Sequence, residues 1–243
     1  MDLVASELNR VRNNYGNEAI YGGSYGWASA GRFHHAQGQL KRFLNTAGGF
    51  VRSEGNYSYN AALMLMPHIL GNFRQHLTEA TRWSTVASNG QLVVMFGGMP
   101  LRNVQVSGGG VAQHRLRDQL RDCSTAGVRF VNFSPLRSDA LGDLGAEWLA
   151  PRPGSDTAVI MGLAHTLLEA GNYDRQFLDS HTVGFSKREA YPLGHKDGVE
   201  KSAEWASQIS EIPADKIREL AEEMWSKRTL ITTAASLQRA DYG

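Results

Sequence analysis

The chain has 243 residues, 42% hydrophobic and 20% charged, with a formal net charge of +1. That is enough apolar material for one large core or two smaller ones, and the near-neutral charge gives nucleic acid or an anionic membrane surface no electrostatic hold. One cysteine, Cys123, excludes internal disulfides and cysteine-based metal clusters, and no apolar run approaches the ~20 residues a membrane-spanning helix needs.

Leu3, Val4, Leu8 and Val11 fall on one helical face, predicting a helix over residues 2–14 that Gly16 closes. Glu18-Ala19-Ile20-Tyr21 reads as a short strand, and Gly22-Gly23-Ser24-Tyr25-Gly26-Trp27 as a tight turn after it. Glycine lets the backbone turn sharply and lets a bulky ligand approach it. A second helix is expected over 28–44, ended by Gly48-Gly49, and a third over 56–70, kinked or shortened at Pro67. Residues 72–90 are polar and poorly patterned.

Gln91-Leu92-Val93-Val94-Met95-Phe96 is apolar on both faces, the mark of a buried parallel strand. A helix follows around Leu116–Cys123, then a strand over 128–133 that ends at Ser134-Pro135. Residues 155–170 form a helix that Ser155 or Asp156 can cap. A shorter helix covers 174–180, an exposed loop 181–200, and a helix runs from Pro213 to about residue 227. Thr229-Leu230-Ile231-Thr232-Thr233-Ala234 is the last strand. Strands alternating with helices predict an α/β fold, a Rossmann-like parallel sheet with helices on both faces. Such sheets bind ligands at the carboxyl ends of their strands, which singles out the loops 22–27, 97–103, 134–139 and 235–239. The chain stops just after a strand and its loop, so a longer parent protein is expected.

Gly22-Gly23-Ser24-Tyr25-Gly26 satisfies the G-x-S-x-G nucleophile-elbow pattern, which makes a serine hydrolase the first alternative. Against it, an α/β-hydrolase needs earlier strands, one of whose loops supplies part of the oxyanion hole, and only one helix and one strand precede Ser24. The other loops point elsewhere. Phe96-Gly97-Gly98-Met99-Pro100-Leu101-Arg102-Asn103 and Ser134-Pro135-Leu136-Arg137-Ser138-Asp139 offer backbone N–H groups, hydroxyls and cations where a pyrophosphate could lie. Pro153-Gly154-Ser155-Asp156 puts a carboxylate at a helix start, where it serves either as a plain cap or as an acceptor for a guanine N1–H and N2–H₂ edge.

Tyr21-Gly22-Gly23-Ser24-Tyr25-Gly26-Trp27, Gly31-Arg32-Phe33-His34-His35-Ala36, Gly55-Asn56-Tyr57-Ser58 and Met66-Pro67-His68-Ile69-Leu70-Gly71 resemble the dimethyl sulfoxide reductase family of molybdenum enzymes, in its biotin sulfoxide and trimethylamine N-oxide reductase branch. Ser134-Pro135-Leu136-Arg137-Ser138, Pro153-Gly154-Ser155-Asp156-Thr157-Ala158, His195-Lys196-Asp197-Gly198 and Leu237-Gln238-Arg239 continue the resemblance in order along the chain. It implies an internal segment of a larger multi-domain molybdoenzyme that reduces S-oxides or N-oxides by oxygen-atom transfer to Mo(IV), using bis-molybdopterin guanine dinucleotide, an electron donor and the remaining domains of the parent. Residues 1–90 would form the molybdenum-site region and 91–243 the dinucleotide-binding region.

Ser24 matches the serine that ligates molybdenum, a hard, highly charged centre that favours oxygen ligands. Tyr25 and Trp27 would wall the site, and His34 would lie near the pterin. Gly97, Gly98, Pro100, Asn103, Ser134, Pro135, Arg137, Ser138, Gly154, Asp156, Gln238 and Arg239 match cofactor contacts. Met99 departs from the Asn or Asp common there among relatives. The resemblance implies a cytoplasmic enzyme for biotin sulfoxide reduction and a periplasmic one for respiratory oxides. A further alternative is an isolated, non-catalytic piece.

Overall fold

The computed structural model describes residues 1–24, 33–104 and 113–241. The chain divides into two compact units, one of residues 1–60 and 104–114, the other of residues 61–103 and 115–243.

In the first unit, α1 (Asp2–Tyr15) forms where the apolar spacing placed it, and Gly16 closes it with its N–H on the Arg12 carbonyl. The expected strand over 18–21 does not form. Asn17–Ala19 is a 3₁₀ turn, followed by a single parallel bridge, Tyr21 to Val51. Gly22 N donates to Val51 O at 2.9 Å and Val51 N to Ile20 O at 2.8 Å. Only Ile20 of that run is a buried hydrophobe, so nothing extends the pairing. Asn17 organises the unit instead, its side-chain amide donating to the carbonyls of Ala47 (3.2 Å) and Gly49 (2.7 Å). The next helix, α2 (Ala36–Thr46), starts later than expected because His35 Nδ1 accepts from Gly38 N and caps it there.

In the following stretch the expected 56–70 helix is reduced to α3 (Asn60–Leu65) and a 3₁₀ turn over Met66–His68, since proline cannot donate to the helical ladder. Residues 72–90, unpatterned in sequence, hold α4 (Phe73–Thr78) and α5 (Trp83–Asn89), which Val86 anchors to the sheet.

Among the described residues, the second unit is built on four parallel strands: β1 (Leu92–Phe96), β2 (Arg129–Phe133), β3 (Glu147–Leu149) and β4 (Thr229–Thr233), in the order β3-β2-β1-β4. Every residue of β1 is at most 1% exposed, as its two-faced apolar run requires. Leu92, Val94 and Phe96 face one layer with Val131 and Phe133 of β2, and the Phe96 and Phe133 rings stack at 4.8 Å. That layer is closed by α8 (Asp156–Glu169), α11 (Ala203–Ser210) and α12 (Ala214–Ser226). Val93, Met95 and Phe130 face the opposite layer, closed by α5 and α7 (Leu116–Thr125), where buried Cys123 packs as a small hydrophobe. Burial pushes its thiol pKa up, which suits a structural rather than a reactive cysteine. The parallel sheet with helices on both faces is therefore as the sequence predicts. Unforeseen are β3, the short α6 (Leu101–Val104) after β1, and α10 (Phe185–Glu189) in what was expected to be loop after α9 (Arg175–His181).

Candidate functional site

From β1 the chain moves outward to β2 and β3, and β4 then returns to the other side of β1. This reversal opens a crevice at the carboxyl ends of β1 and β4, the place where parallel sheets bind ligands. A cavity of about 220 Å³ lies there, lined by Gly97 after β1, Ser134, Pro135 and Asp139 after β2, Pro153, Gly154 and Asp156 after β3, and Ser236, Leu237 and Ala240 after β4. All four strand-end loops contribute.

Backbone conformation shapes the wall. Gly97 has φ 85°, and a Cβ there would lie 2.5 Å from Ala234 Cβ, so only glycine lets the loop close against the end of β4. Its N–H is held by the Phe133 carbonyl at 2.8 Å. Gly154 has φ 80°, and a Cβ built on it meets nothing nearer than Ala240 Cβ at 3.9 Å, so it leaves open space beside the cavity.

Asp156 stands at the first position of α8. Burial pushes its carboxyl pKa up, partly offset by a hydrogen bond from its own backbone, and it has no ion-pair partner among the described residues. Ser155 precedes the helix without capping it, because its hydroxyl donates to the Arg152 carbonyl at 2.6 Å. Asp156 is thus a half-buried carboxylate on a cavity wall with its acceptor capacity largely unused.

The remaining expected residues fall in different places. Ser134 is 1% exposed, and its hydroxyl is engaged by Asp139 at 2.7 Å. Gly98, half-buried, and Pro100, buried, are not part of the lining, and Asn103 is exposed on α6. Arg137 and Ser138 are exposed on a 3₁₀ turn away from the lining. Gln238 accepts from Ala62 N at 2.8 Å, and the Arg239 guanidinium donates to the Ala235 carbonyl at 3.2 Å. Ser24 and His34 belong to the first unit, Ser24 half-buried and His34 exposed. Tyr25 and Trp27 lie outside the described residues. Gly22 sets up the approach to Ser24, since a Cβ there would lie 2.4 Å from Leu44 Cδ1 and 2.5 Å from the Phe50 ring. The lone bridge before Ser24 is not the strand that a nucleophile elbow requires. Asp139, Pro153, Ser236, Leu237 and Ala240 were not among the expected site residues, though Asp139, Ser236 and Leu237 lie in loops that the strand ends had singled out.

The family model for molybdopterin oxidoreductases matches residues 1–243. The chain belongs to the molybdopterin oxidoreductase family. Membership implies a molybdenum–pterin cofactor. Similar curated proteins are a biotin sulfoxide reductase of Cereibacter sphaeroides (42% identical, all of this chain and 33% of that one), a dimethyl sulfoxide/trimethylamine N-oxide reductase of the same organism (39%, 29% of its length) and a trimethylamine-N-oxide reductase of Haemophilus influenzae (35%, 29% of its length). The chain spans about a third of the length of these relatives. Among solved structures, the acetylene hydratase of Pelobacter acetylenicus shares the fold, with a TM-score of 0.55 over 97% of this chain and 29% of its own, at 18% identity. That likeness bears on fold alone.

Proposed function

We propose that this chain is the part of an S-oxide or N-oxide reductase that holds the distal, nucleotide end of a molybdopterin guanine dinucleotide and supplies a serine ligand to molybdenum. The observation that carries the reading is the convergence of four strand-end loops on one cavity with a half-buried, cation-free carboxylate in its wall. Asp156 can accept two hydrogen bonds from a ligand edge with adjacent N–H groups, and a guanine presents such an edge. Gly154 would leave room for the ring, and Gly97 lets the β1 loop close against the end of β4, where the cavity lies. The residues present therefore fit a guanine dinucleotide.

When bound, the cofactor would supply two-electron oxygen-atom transfer to or from the substrate S=O or N–O group, while the protein binds and orients it. The chain's own tasks are to fix the nucleotide through Asp156 and the strand-end loops, and to present the Ser24 hydroxyl as an oxygen donor. Tyr25 and Trp27 wall the site in this reading, and an electron donor and the remaining domains complete it. A cytoplasmic location goes with a biotin sulfoxide substrate.

The test uses the full-length enzyme. Acid hydrolysis should release guanosine monophosphate in fixed ratio to molybdenum, and Asp156→Ala should lower both. Ser24→Ala should leave the nucleotide in place while altering the molybdenum spectrum and abolishing oxide reduction. Unchanged nucleotide content in the Asp156 variant would refute the nucleotide assignment, and an unchanged spectrum in the Ser24 variant would refute the metal assignment.

A further inference from the structure

Asp139 is the point at which two of the strand-end loops are joined. Its carbonyl accepts from Met99 N at 2.6 Å, and its Oδ1 accepts from the Arg102 Nη2 at 2.6 Å, both from the segment after β1. Its Oδ2 accepts from Ser134 Oγ at 2.7 Å, at the end of β2. Gly98 seals the joint, since a Cβ there would stand 2.6 Å from the Asp139 carbonyl oxygen and 2.7 Å from its Cβ. The Asp139 side chain is 13% exposed and lines the cavity, whereas Arg102 is 57% exposed and does not. A carboxylate is therefore built into the wall of a cavity whose proposed occupant carries phosphates. Alone it would repel that occupant, and the more so because like charges interact more strongly where water is excluded. An arginine bound to its outer face offsets the charge and leaves its hydrogen bonds intact.

We propose that Asp139 and Arg102 form a positioning pair for this cavity. Asp139 holds the loops after β1 and β2 in one relative placement, and Arg102 neutralises it so that an anionic pyrophosphate can lie beside it. The inference rests on the dinucleotide reading above. It carries a definite sign. Arg102→Ala leaves Asp139 uncompensated and weakens retention of the cofactor about tenfold, or about 1.4 kcal/mol. Adding Asp139→Asn to that variant restores most of the loss, because the carboxamide still accepts from Ser134 and brings no charge. Arg102→Lys keeps a cation and stays near wild type. If the pair served packing alone, the second substitution would remove further contacts and deepen the loss.

The experiment purifies the full-length holoenzyme, Arg102→Ala, Arg102→Lys and the Arg102→Ala/Asp139→Asn double variant. Molybdenum and acid-released guanosine monophosphate per polypeptide are measured before and after dialysis at low and raised salt, and thermal unfolding of the cofactor-free forms checks the fold. The expected result is loss of cofactor from Arg102→Ala, smaller at high salt where repulsion is screened, with recovery in the double variant and in Arg102→Lys and with similar unfolding temperatures for all forms. A double variant that retains no more cofactor than Arg102→Ala, or an Arg102→Ala enzyme that retains it as well as wild type, overturns the proposal. A wild-type enzyme that releases molybdenum but no guanine nucleotide sinks the dinucleotide reading itself, and the positioning pair with it.

Discussion

Replacing Gly162 by alanine sets two opposing effects against each other at the contact that carries Asp156. Gly162 lies inside α8, where it packs on α11 and α12. A Cβ on Gly162 would stand 2.7 Å from Ala206 Cβ, 3.3 Å from Ile217 Cγ2 and 3.5 Å from the Ser202 carbonyl. Carbon atoms prefer about 3.5–4.0 Å, so the helices must part by roughly 1 Å. Alanine gains about 1 kcal/mol over glycine in helix propensity. Overpacking a filled core costs about 1–3 kcal/mol. The obstructing atom is a Cβ fixed to the α11 backbone and fully buried, so it cannot swing aside and the cost lies in the upper part of that range. The expected net effect is a destabilisation of about 1–2 kcal/mol.

Ala206→Gly alone should cost about 1 kcal/mol in propensity and about 0.8 kcal/mol in lost methyl burial. In the double variant the propensities cancel and the methyl moves across the same interface, so stability returns close to wild type, a coupling of about 3 kcal/mol. Urea unfolding of the four proteins followed by circular dichroism measures this. Gly162→Ala protein as stable as wild type, or additive single effects, would refute the packing argument. Because Asp156 opens the same helix, a displaced α8 should also lower nucleotide retention in the full-length enzyme.

Two further predictions concern titration. The folded-state pKa of Asp156 is raised by burial, so the folded chain disfavours its ionised form. The stability it contributes is present below the ordinary carboxylate pKa and lost as pH rises through the raised folded value. Asp156→Asn should therefore raise the unfolding temperature of the cofactor-free protein at neutral pH, with the gain shrinking on acidification; a gain independent of pH would count against a buried, unpaired carboxylate. Lys201 is 3% exposed, with its ammonium on Asp197 Oδ2 and the Val199 carbonyl and over the Tyr191 ring at 4.5 Å. The hydrogen bond from Lys201 is the main cause holding the Asp197 carboxyl below its usual range. Asp197 therefore favours folding above the ordinary carboxylate pKa and loses that effect as pH falls through its lowered folded value. Lys201→Met should move the Asp197 carboxyl titration up toward the ordinary carboxylate range in NMR, with the Val199 N–H still holding it somewhat down, and an unmoved titration would show that the Lys201 contact does not set it.

The sheet was legible where burial on both faces left an apolar run, as in β1, whereas edge strand β4, with Ile231 and Thr233 exposed, was legible from its β-branched composition. β1, β2 and β4 were read within a residue or so, and with them the loops that follow. β3 was not, because Glu147-Trp148-Leu149 is a three-residue edge strand set by pairing with Val131–Phe133 and has no pattern of its own. The expected strand before Ser24 failed for the complementary reason. A short apolar run becomes a strand only if a partner extends the ladder, and Val51 offers a single bridge. Helix α5 was invisible because one buried residue, Val86, anchors it.

The sequence by itself determined the parallel α/β class, the order of its main elements and the strand ends at which a ligand site had to lie, because apolar periodicity and glycine punctuation are local properties. Which side chains of those loops face the cavity was decided only by tertiary structure. Asp139 and Ser236 line it, while Arg137, Gln238 and Arg239 do not. That selection depends on glycines at positive φ and on hydrogen bonds such as Met99 N–H to the Asp139 carbonyl and Ala62 N–H to the Gln238 side chain, which join segments far apart in the chain. Local sequence cannot encode such partners, because each loop takes its direction from the loop it meets.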